Sequence, residues 1–171
     1  MKLIYVALSL SLFINVHQCI KAEKSDLSAA VWNAVTARNS TWTNDDLDGH
    51  MELYHPNFRR WTLRSHKLMD KKDFKKLWSY IKRREKVISL EVIPEELIFY
   101  ANQSVAVAHY SIDELYEWVG NDTSERKLGD RRRGNLRFSD IWIFEKGKWL
   151  YAGGHRDGMA LPEGYIHSKK D

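Results

Sequence analysis

Two side chains near the end of the chain have the types needed for proton transfer. Asp140 alternates with Phe138 and Trp142, so a strand here would put all three on one face. A carboxylate among large apolar groups has its charged form disfavoured, which raises its pKa and suits a general acid or base near neutral pH. His155 on an adjacent strand could share a proton with it, with Asp157 orienting the ring. We predict Asp140 and His155 as catalytic candidates. Alternatively, Asp140 faces outward and pairs with an arginine, and His155 is a capping or dimer-interface residue.

A second set of side chains has the types that line a ligand pocket. Tyrosine hydroxyls and tryptophan indole N–H groups place a few polar contacts in an apolar cavity. An arginine can hold a ligand carboxylate by two hydrogen bonds. The predicted ligand-binding residues are Tyr54, His55, Trp61, Trp78, His109, Tyr110 and Arg137. The alternatives are core packing for the tryptophans, a hydrogen-bonded core histidine for His109, and an internal salt bridge for Arg137.

The motifs for metal, phosphate and nucleic-acid chemistry are not found. No H-x-x-x-H or H-E-x-x-H pattern occurs, and His50 and His55 do not share a helical face. There is no glycine-rich phosphate loop before a helix and no G-x-S-x-G elbow. The basic segment Lys71–Lys86 contains Phe74 and Trp78, but both fall on the apolar stripe of a helix. We therefore predict no metal, no cofactor and no nucleic-acid partner.

The N-terminus has the pattern of a secretory signal peptide. Lys2 precedes the apolar stretch Leu3–Val16, and Ala22 is a small residue suited to the cleavage site. The stretch is 14 residues long, short of the ~20 needed to span a bilayer. An uncleaved anchor and a lipid anchor on Cys19 are the alternatives. We predict a signal peptide (1–22), one domain (23–158) and a polar tail (159–171), in a secreted or periplasmic protein without stable membrane insertion after cleavage.

Composition supports a single folded domain. A chain of 171 residues is one domain plus short extensions. An aromatic content of 12% argues against disorder. A single cysteine excludes a disulfide scaffold. A net charge of +4 is too small to imply nucleic acid by itself.

Hydrophobic periodicity changes along the chain from helical to strand-like. The predicted helices are Asp26–Thr41, a second from Thr43 to about Tyr54, and a third capped by Asp70 with its stripe at Phe74, Leu77, Trp78 and Ile81. The predicted strands are Phe58–Leu63, Val87–Ile93, Leu97–Tyr100, Ser104–Trp118, Leu136–Phe144 and Lys148–Gly153, with turns at Asn102-Gln103 and Lys146-Gly147 and a loop at Asn121–Gly134. This order indicates an α+β fold, with helices packed on one face of a curved antiparallel sheet.

Several of these residues resemble a known family. Leu53–Phe58 with Trp61 resembles the "Y/F-H-P-D-F…W" segment of bacterial nuclear transport factor 2-like proteins, the SnoaL-like superfamily. Arg137–Trp142, followed by Gly147–Trp149 and His155, resembles the closing hairpin "R-[YFW]-[ST]-D-[VI]-W…G-K-W…H" of that superfamily. The resemblance covers about 27–157. The chain departs from the pattern at Asn57, where aspartate is usual, and at 154–158.

The resemblance implies a cone-shaped curved sheet, with three helices from the first half of the chain on its concave face, a deep pocket, and often dimerisation through the outer sheet face. It leaves three hypotheses for function. The first is an exported protein that binds a small apolar or amphipathic molecule, which a filled cavity would contradict. The second is a cofactor-free isomerase, cyclase or hydratase that uses Asp140 or His155 with a tyrosine, which titratable groups on opposite faces of the sheet would contradict. The third is an interaction module that forms a homodimer.

Overall fold

The computed structural model describes residues 25–62 and 67–158. The predicted signal peptide (1–22) and tail (159–171) lie outside these ranges, and both stay predictions. Within the described ranges the helices come before the long strands, as predicted. They are α1 (25–43), α2 (Leu47–Glu52) and α3 (Lys71–Lys82).

The helix boundaries follow from local capping. The carboxylate of Asp46 accepts a hydrogen bond from a backbone N–H of the first turn of α2 at 2.9 Å, so Asp46 is the N-cap. The predicted helix start at Thr43 is wrong: Thr43 ends α1, and its hydroxyl donates to the Ser40 carbonyl at 2.9 Å. Asp70 caps α3 as predicted, accepting from the backbone N–H of Asp73 at 2.9 Å.

One six-stranded sheet forms the rest of the described fold. Its strands are β1 (Tyr54–Arg60), β2 (Met69–Asp70), β3 (Glu85–Tyr100), β4 (Val105–Trp118), β5 (Arg131–Glu145) and β6 (Lys148–Gly158). The spatial order is β2-β1-β6-β5-β4-β3, with β1 parallel to β6 and the other neighbours antiparallel. The sheet is curved and does not close. Together with the helices it forms the predicted α+β cone.

Some strand boundaries differ from the sequence prediction. The predicted strands Val87–Ile93 and Leu97–Tyr100 form one strand, β3, which continues through a register shift after Pro94. Proline is tolerated there because β3 is an edge strand. β5 begins at Arg131, inside the predicted loop Asn121–Gly134. Pairing with β4 over this whole length extends the strand beyond what its polar residues indicated.

The turns between the long strands lie where the sequence predicted them. Lys146 and Gly147 have φ values of 52° and 80°. Positive φ at both central residues is the geometry of the tight type I′ hairpin. Asn102 and Gln103 also have positive φ, 51° and 66°, between β3 and β4. Each turn fixes the register of the strands beside it.

The core lies between the helices and the inner face of the sheet. Phe138, Asp140 and Trp142 are 8%, 0% and 0% exposed, so the predicted alternation along this strand is confirmed and its face is the inner one. The largest fully buried side chains around them are Val31, Val35, Tyr54, Phe58, Phe74, Tyr110 and Tyr151. Bulky aromatic groups therefore occupy much of the space inside the cone.

Candidate functional site

A buried charged cluster lies at the centre of the cone. Arg38 Nη2, on α1, is 2.9 Å from Asp140 Oδ2 on β5. The Tyr110 hydroxyl donates to the same Asp140 oxygen at 2.5 Å and accepts from Arg38 Nη2 at 2.5 Å. Burial raises the pKa of Tyr110, so its hydroxyl keeps its proton. The charge of Asp140 is therefore balanced by Arg38, while the neutral Tyr110 hydroxyl donates a hydrogen bond to the same oxygen.

Aromatic rings and glycine complete the surroundings of this cluster. The Arg38 guanidinium lies 4.1 Å from the centre of the Tyr151 ring and 5.5 Å from that of Trp142. Asp140 Oδ1 lies against Gly154 of β6, where a Cβ atom would come within 2.6 Å of it. Among the described residues, Asp140 Oδ1 and the Tyr151 hydroxyl are buried without a hydrogen-bond partner.

A second polar chain runs along one side of the cone. Trp78 Nε1 donates to the Tyr54 hydroxyl at 3.2 Å, and this hydroxyl lies 3.0 Å from His50 Nε2. His50 Nδ1 lies 2.9 Å from the carbonyl oxygen of Arg38. Since a carbonyl only accepts, we assign the ring proton to Nδ1, and Nε2 accepts from Tyr54. The chain thus links α3, β1, α2 and α1.

His50 is held in its neutral form. Burial, together with the nearby positive charges of Arg38 and Lys82, lowers its pKa to about 3, against the opposing effect of the hydrogen bond to the Arg38 carbonyl. Burial also raises the pKa of Tyr54. Both side chains therefore act as neutral hydrogen-bonding groups at physiological pH.

A small pocket opens beside these two polar networks. Its lining residues come from every long element of the fold: Arg38, Asn39, Trp42, His50, Tyr54, Arg60, Trp78, Leu90, Ile112, Glu114, Leu136, Phe138 and Arg156. Its volume is about 50 Å³, well below the ~300–1,000 Å³ of pockets that enclose a whole drug-sized ligand. The deep pocket expected from the resemblance is therefore mostly filled, because Tyr110, Trp142 and Tyr151 occupy the centre of the cone. This filling contradicts a ligand enclosed whole within the cone, and the small pocket beside these side chains is the space that stays open.

A larger open groove adjoins the small pocket. It runs between α1 and β3 and has a volume of about 290 Å³. Its lining residues are Thr36, Asn39, Ser40, Thr43, Leu90, Glu91 and Val92. Asn39 and Leu90 line both spaces. The groove and the pocket are therefore neighbours that share these two residues as a common wall.

Three charged side chains face the pocket without a close partner of opposite charge. In the described part of the chain, Arg60, Arg156 and Glu114 make no side-chain hydrogen bond, and their charged atoms lie within 4.0 Å of no opposite charge. Burial raises the pKa of Glu114, although Arg156 opposes this rise. Burial likewise lowers the pKa of Arg156, although Glu114 opposes that fall. The pocket wall thus carries three charged groups that form no hydrogen bond or ion pair within the described fold.

This chain is similar to several solved structures, although its sequence matches no protein-family model and no curated protein sequence. A ketosteroid isomerase-like protein from Erwinia carotovora atroseptica matches with a TM-score of 0.64 at 10% identity, over 78% of this chain and 96% of that one. A candidate dehydratase of the nuclear transport factor 2-like family from Streptomyces avermitilis gives 0.62 at 9% identity, over 80% and 99%. A nuclear transport factor 2-like protein from Cytophaga hutchinsonii gives 0.57 at 15% identity, over 77% and 98%.

The chain has the nuclear transport factor 2-like fold. The resemblance seen in its closing hairpin is thereby confirmed at the level of the fold. At these identities the likeness concerns the fold, and the chemistry has to be argued from this chain's own side chains.

Four of the predicted site residues lie inside the nuclear transport factor 2-like cone. Tyr54 and Trp78 line the pocket and bond to each other. Asp140 and Tyr110 form the buried cluster next to it. Their roles in a ligand or substrate complex stay predictions.

The other predicted site residues lie outside the pocket. His155 is exposed on the outer face of the sheet, because Asp140 pairs with Gly154 and His155 therefore pairs with Ser139. The remaining four bond locally or face solvent: His109 to Ser139 at 3.0 Å, Arg137 to Asp157 at 3.2 Å, His55 to Glu145 at 3.2 Å, and Trp61 61% exposed. Asp140 and His155 thus do not face a common point, and Asp157 pairs with Arg137 instead of orienting His155.

Sequence reasoning missed five titratable residues of the pocket wall. They are Arg38, His50, Arg60, Glu114 and Arg156. For Arg38 a signal existed, since it falls on the apolar stripe of α1, where a charge must find a buried partner. Arg60 likewise alternates with the buried Phe58 on β1.

Within 25–62 and 67–158, no three His, Cys, Asp or Glu side chains come together as ligands for a metal ion. None of the helices in those same ranges is long and apolar enough to cross a membrane.

Proposed function

We propose that this chain binds a small amphipathic molecule in the cone pocket and the groove that adjoins it. The observation that carries the proposal is the mixed character of the pocket wall. The aromatic side chains of Trp42, Trp78 and Phe138 line the same pocket as three charged side chains that have no hydrogen bond or ion pair within the described fold, Arg60, Glu114 and Arg156. Such a wall suits a ligand with an apolar body and one polar group.

The size of the two spaces restricts the ligand. The inner pocket, about 50 Å³, has room for a polar head group and little more. The open groove, about 290 Å³, can accept the body of the molecule. Because the spaces are neighbours that share Asn39 and Leu90, one elongated molecule can occupy both.

Native mass spectrometry of the protein purified from its source organism tests this proposal. We expect the wild type to retain a small molecule. A Leu90→Trp variant fills space at the wall that the pocket and the groove share and should lose it. Ile88→Trp adds the same volume at an exposed position of the same strand, 41% exposed, and should retain it. Retention by all three proteins, or by none of them, would contradict the proposal, provided urea unfolding shows that the variants are folded.

A cofactor-free enzyme of proton transfer is the second candidate. The observation that favours it is Glu114, a carboxyl group with a raised pKa that faces the pocket and has no close cationic partner among the described residues. Such a group is suited to general-base chemistry. The candidate does not use Asp140 with His155, which lie on opposite faces. The isomerase-like and dehydratase names of the structural neighbours agree with this class.

Proton exchange separates this candidate from binding alone. Acetophenone in D₂O exchanges its methyl protons when a base removes one. The enzyme hypothesis expects faster exchange with the wild type than with Glu114→Gln, and a pH profile that rises as Glu114 ionises. Equal rates for both proteins and for buffer would leave binding as the function.

We further propose that the protein is a homodimer that associates through its outer sheet face. On this face Val107 pairs with Ile141 and Val105 with Ile143. These four apolar side chains lie next to one another, and Ile141 is 41% exposed. Exposed apolar patches of this kind mark protein–protein contact sites. Light scattering should give a dimer for the wild type and a monomer for Ile141→Lys, while Leu128→Lys, on an exposed loop, should stay dimeric. A monomeric wild type would refute the proposal.

Export is proposed from the sequence of residues 1–22 alone. N-terminal sequencing of protein recovered outside the cytoplasm should begin at Glu23. A chain that still begins at Met1 would contradict the cleaved signal peptide.

A further inference from the structure

Arg60 is an unusual arginine. It is 6% exposed, yet its side chain has no hydrogen bond and no ion pair in the part of the chain that the structure describes. Its described contacts are with ring faces, at 5.7 Å from Phe74 and 5.7 Å from Phe138. Buried arginines are nearly always paired with an anion. Arg60 therefore needs an anionic partner, and the described residues do not supply one.

Arg156 repeats this arrangement on the neighbouring strand. It lines the same pocket, its guanidinium is 6.0 Å from the Phe138 ring, and its buried Nε has no partner in the described ranges. The two arginines thus share one aromatic side chain as a common support. Their mutual repulsion adds to the burial that lowers the pKa of Arg156.

Other charges at the pocket do not neutralise this pair. Arg38 is bound to Asp140, and His50 is neutral. Glu114 is the one carboxylate among the residues that line the pocket, and it lies within 4.0 Å of neither arginine. The wall near Phe138 is therefore left with excess positive charge.

We propose that Arg60 and Arg156 together bind the carboxylate of a small organic acid. This inference rests on the proposed binding function and names the chemical class of its ligand. Guanidinium groups hold carboxylates through paired, charge-assisted hydrogen bonds. A carboxylate at this point would satisfy both arginines at once.

The rest of the ligand follows from the space around the pair. Trp42, Trp78 and Leu90 give the pocket an apolar side, and Leu90 also lines the neighbouring groove. An aliphatic or aromatic body attached to the carboxylate fits there. The ligand class is thus a monocarboxylic acid with one apolar arm.

Glu114 sets the strength of this binding. It lies over Gly134, where a Cβ atom would come within 3.1 Å of its Oε1. When ionised it repels a ligand carboxylate in the same pocket. Replacing it with the isosteric Gln should tighten carboxylate binding several-fold.

Matched acid and amide probes test the inference by calorimetry. Acetate, benzoate and phenylacetate are compared with acetamide, benzamide and phenylacetamide, which have nearly the same shape and no charge. We expect at least one acid to bind ten-fold or more tightly than its amide. We also expect this preference to weaken as salt is added.

Variants assign the preference to the two arginines. Arg60→Gln and Arg156→Gln should each reduce acid binding by about ten-fold or more and leave amide binding unchanged. Arg59→Gln is the matched control, since it removes a charge from the adjacent, exposed position of β1. If Arg60→Gln does not fold, Arg156→Gln, whose residue is less buried, still decides the question.

The outcomes separate this inference from the proposed function. Equal binding of acids and amides, unchanged in Arg156→Gln, would overturn the anion site and leave small-molecule binding standing. Failure of every acid to bind at millimolar concentration would also overturn the anion site. The retained mass measured on the wild type does not depend on ligand charge, and it decides the proposed function separately.

Discussion

The neutral state of His50 predicts a specific loss of stability in acid. Its pKa is about 3 in the folded protein and 6.5 in the unfolded chain. Between these values the unfolded chain binds a proton that the folded protein does not. The contribution is therefore fully present above pH 6.5 and is lost as the pH falls towards 3. At about 1.36 kcal/mol for each pH unit, the loss across this window is on the order of 5 kcal/mol.

Urea unfolding of the wild type and His50→Gln from pH 7 to pH 3 measures this contribution. The glutamine oxygen can still accept from Tyr54, so the variant should fold. We expect the free energy of unfolding of the wild type to fall by about 5 kcal/mol more than that of His50→Gln over this range. Other groups that titrate there, Glu114 among them, are common to both proteins and cancel in the difference.

A control variant separates the loss of a titratable group from a general loss of stability. Phe58→Leu lowers stability in the core without removing a titratable group, and Phe58 is 0% exposed. The free energy of unfolding of Phe58→Leu should change with pH by the same amount as that of the wild type. If that of His50→Gln also changes by the same amount as the wild type, His50 is not held neutral and the reasoning is refuted.

Two further predictions concern the buried charged cluster. Asp140→Asn leaves the Arg38 charge buried without an anion and should lower the free energy of unfolding by roughly 3–5 kcal/mol. The double variant Asp140→Asn, Arg38→Met should recover part of that loss. If urea unfolding shows the double variant to be less stable than the single one, the pairing is contradicted. Gly154→Ala places a Cβ atom 2.5 Å from the Ser139 carbonyl oxygen and should lower the melting temperature. Gly158→Ala is the control, because a Cβ atom there has no neighbour within 4 Å, and it should leave the melting temperature unchanged. Equal melting temperatures for the two variants would mean that the close approach at Gly154 is not required.

Local patterns in the sequence predicted the elements of the fold, because they depend on neighbours along the chain. The stripe of α3 and its Asp70 cap are contained in a few successive residues. The alternation of Phe138, Asp140 and Trp142 likewise predicted one shared face. The error at Thr43 arose because two nearby side chains, Thr43 and Asp46, can both cap a helix.

The site was harder to predict because its partners are far apart in sequence. Arg38 on α1 binds Asp140 on β5, with six elements between them along the chain, and no local pattern reports that pairing. His155 was placed beside Asp140 on the basis of adjacent strands, but the register puts Gly154 there instead. A difference of one residue in register moves a side chain to the other face of a sheet. The pocket arginines came from two strands that pair only in the folded sheet.

An NMR titration that follows the indole N–H signals of the seven tryptophans tests ligand binding in the cone most directly. Phenylacetate and phenylacetamide serve as probes. Trp42 and Trp78 line the pocket, whereas Trp61 is exposed outside it. We predict saturable shifts of the Trp42 and Trp78 signals with no change at Trp61. Shifts confined to tryptophans outside the pocket, or no saturable shift with either probe, would contradict binding in the cone.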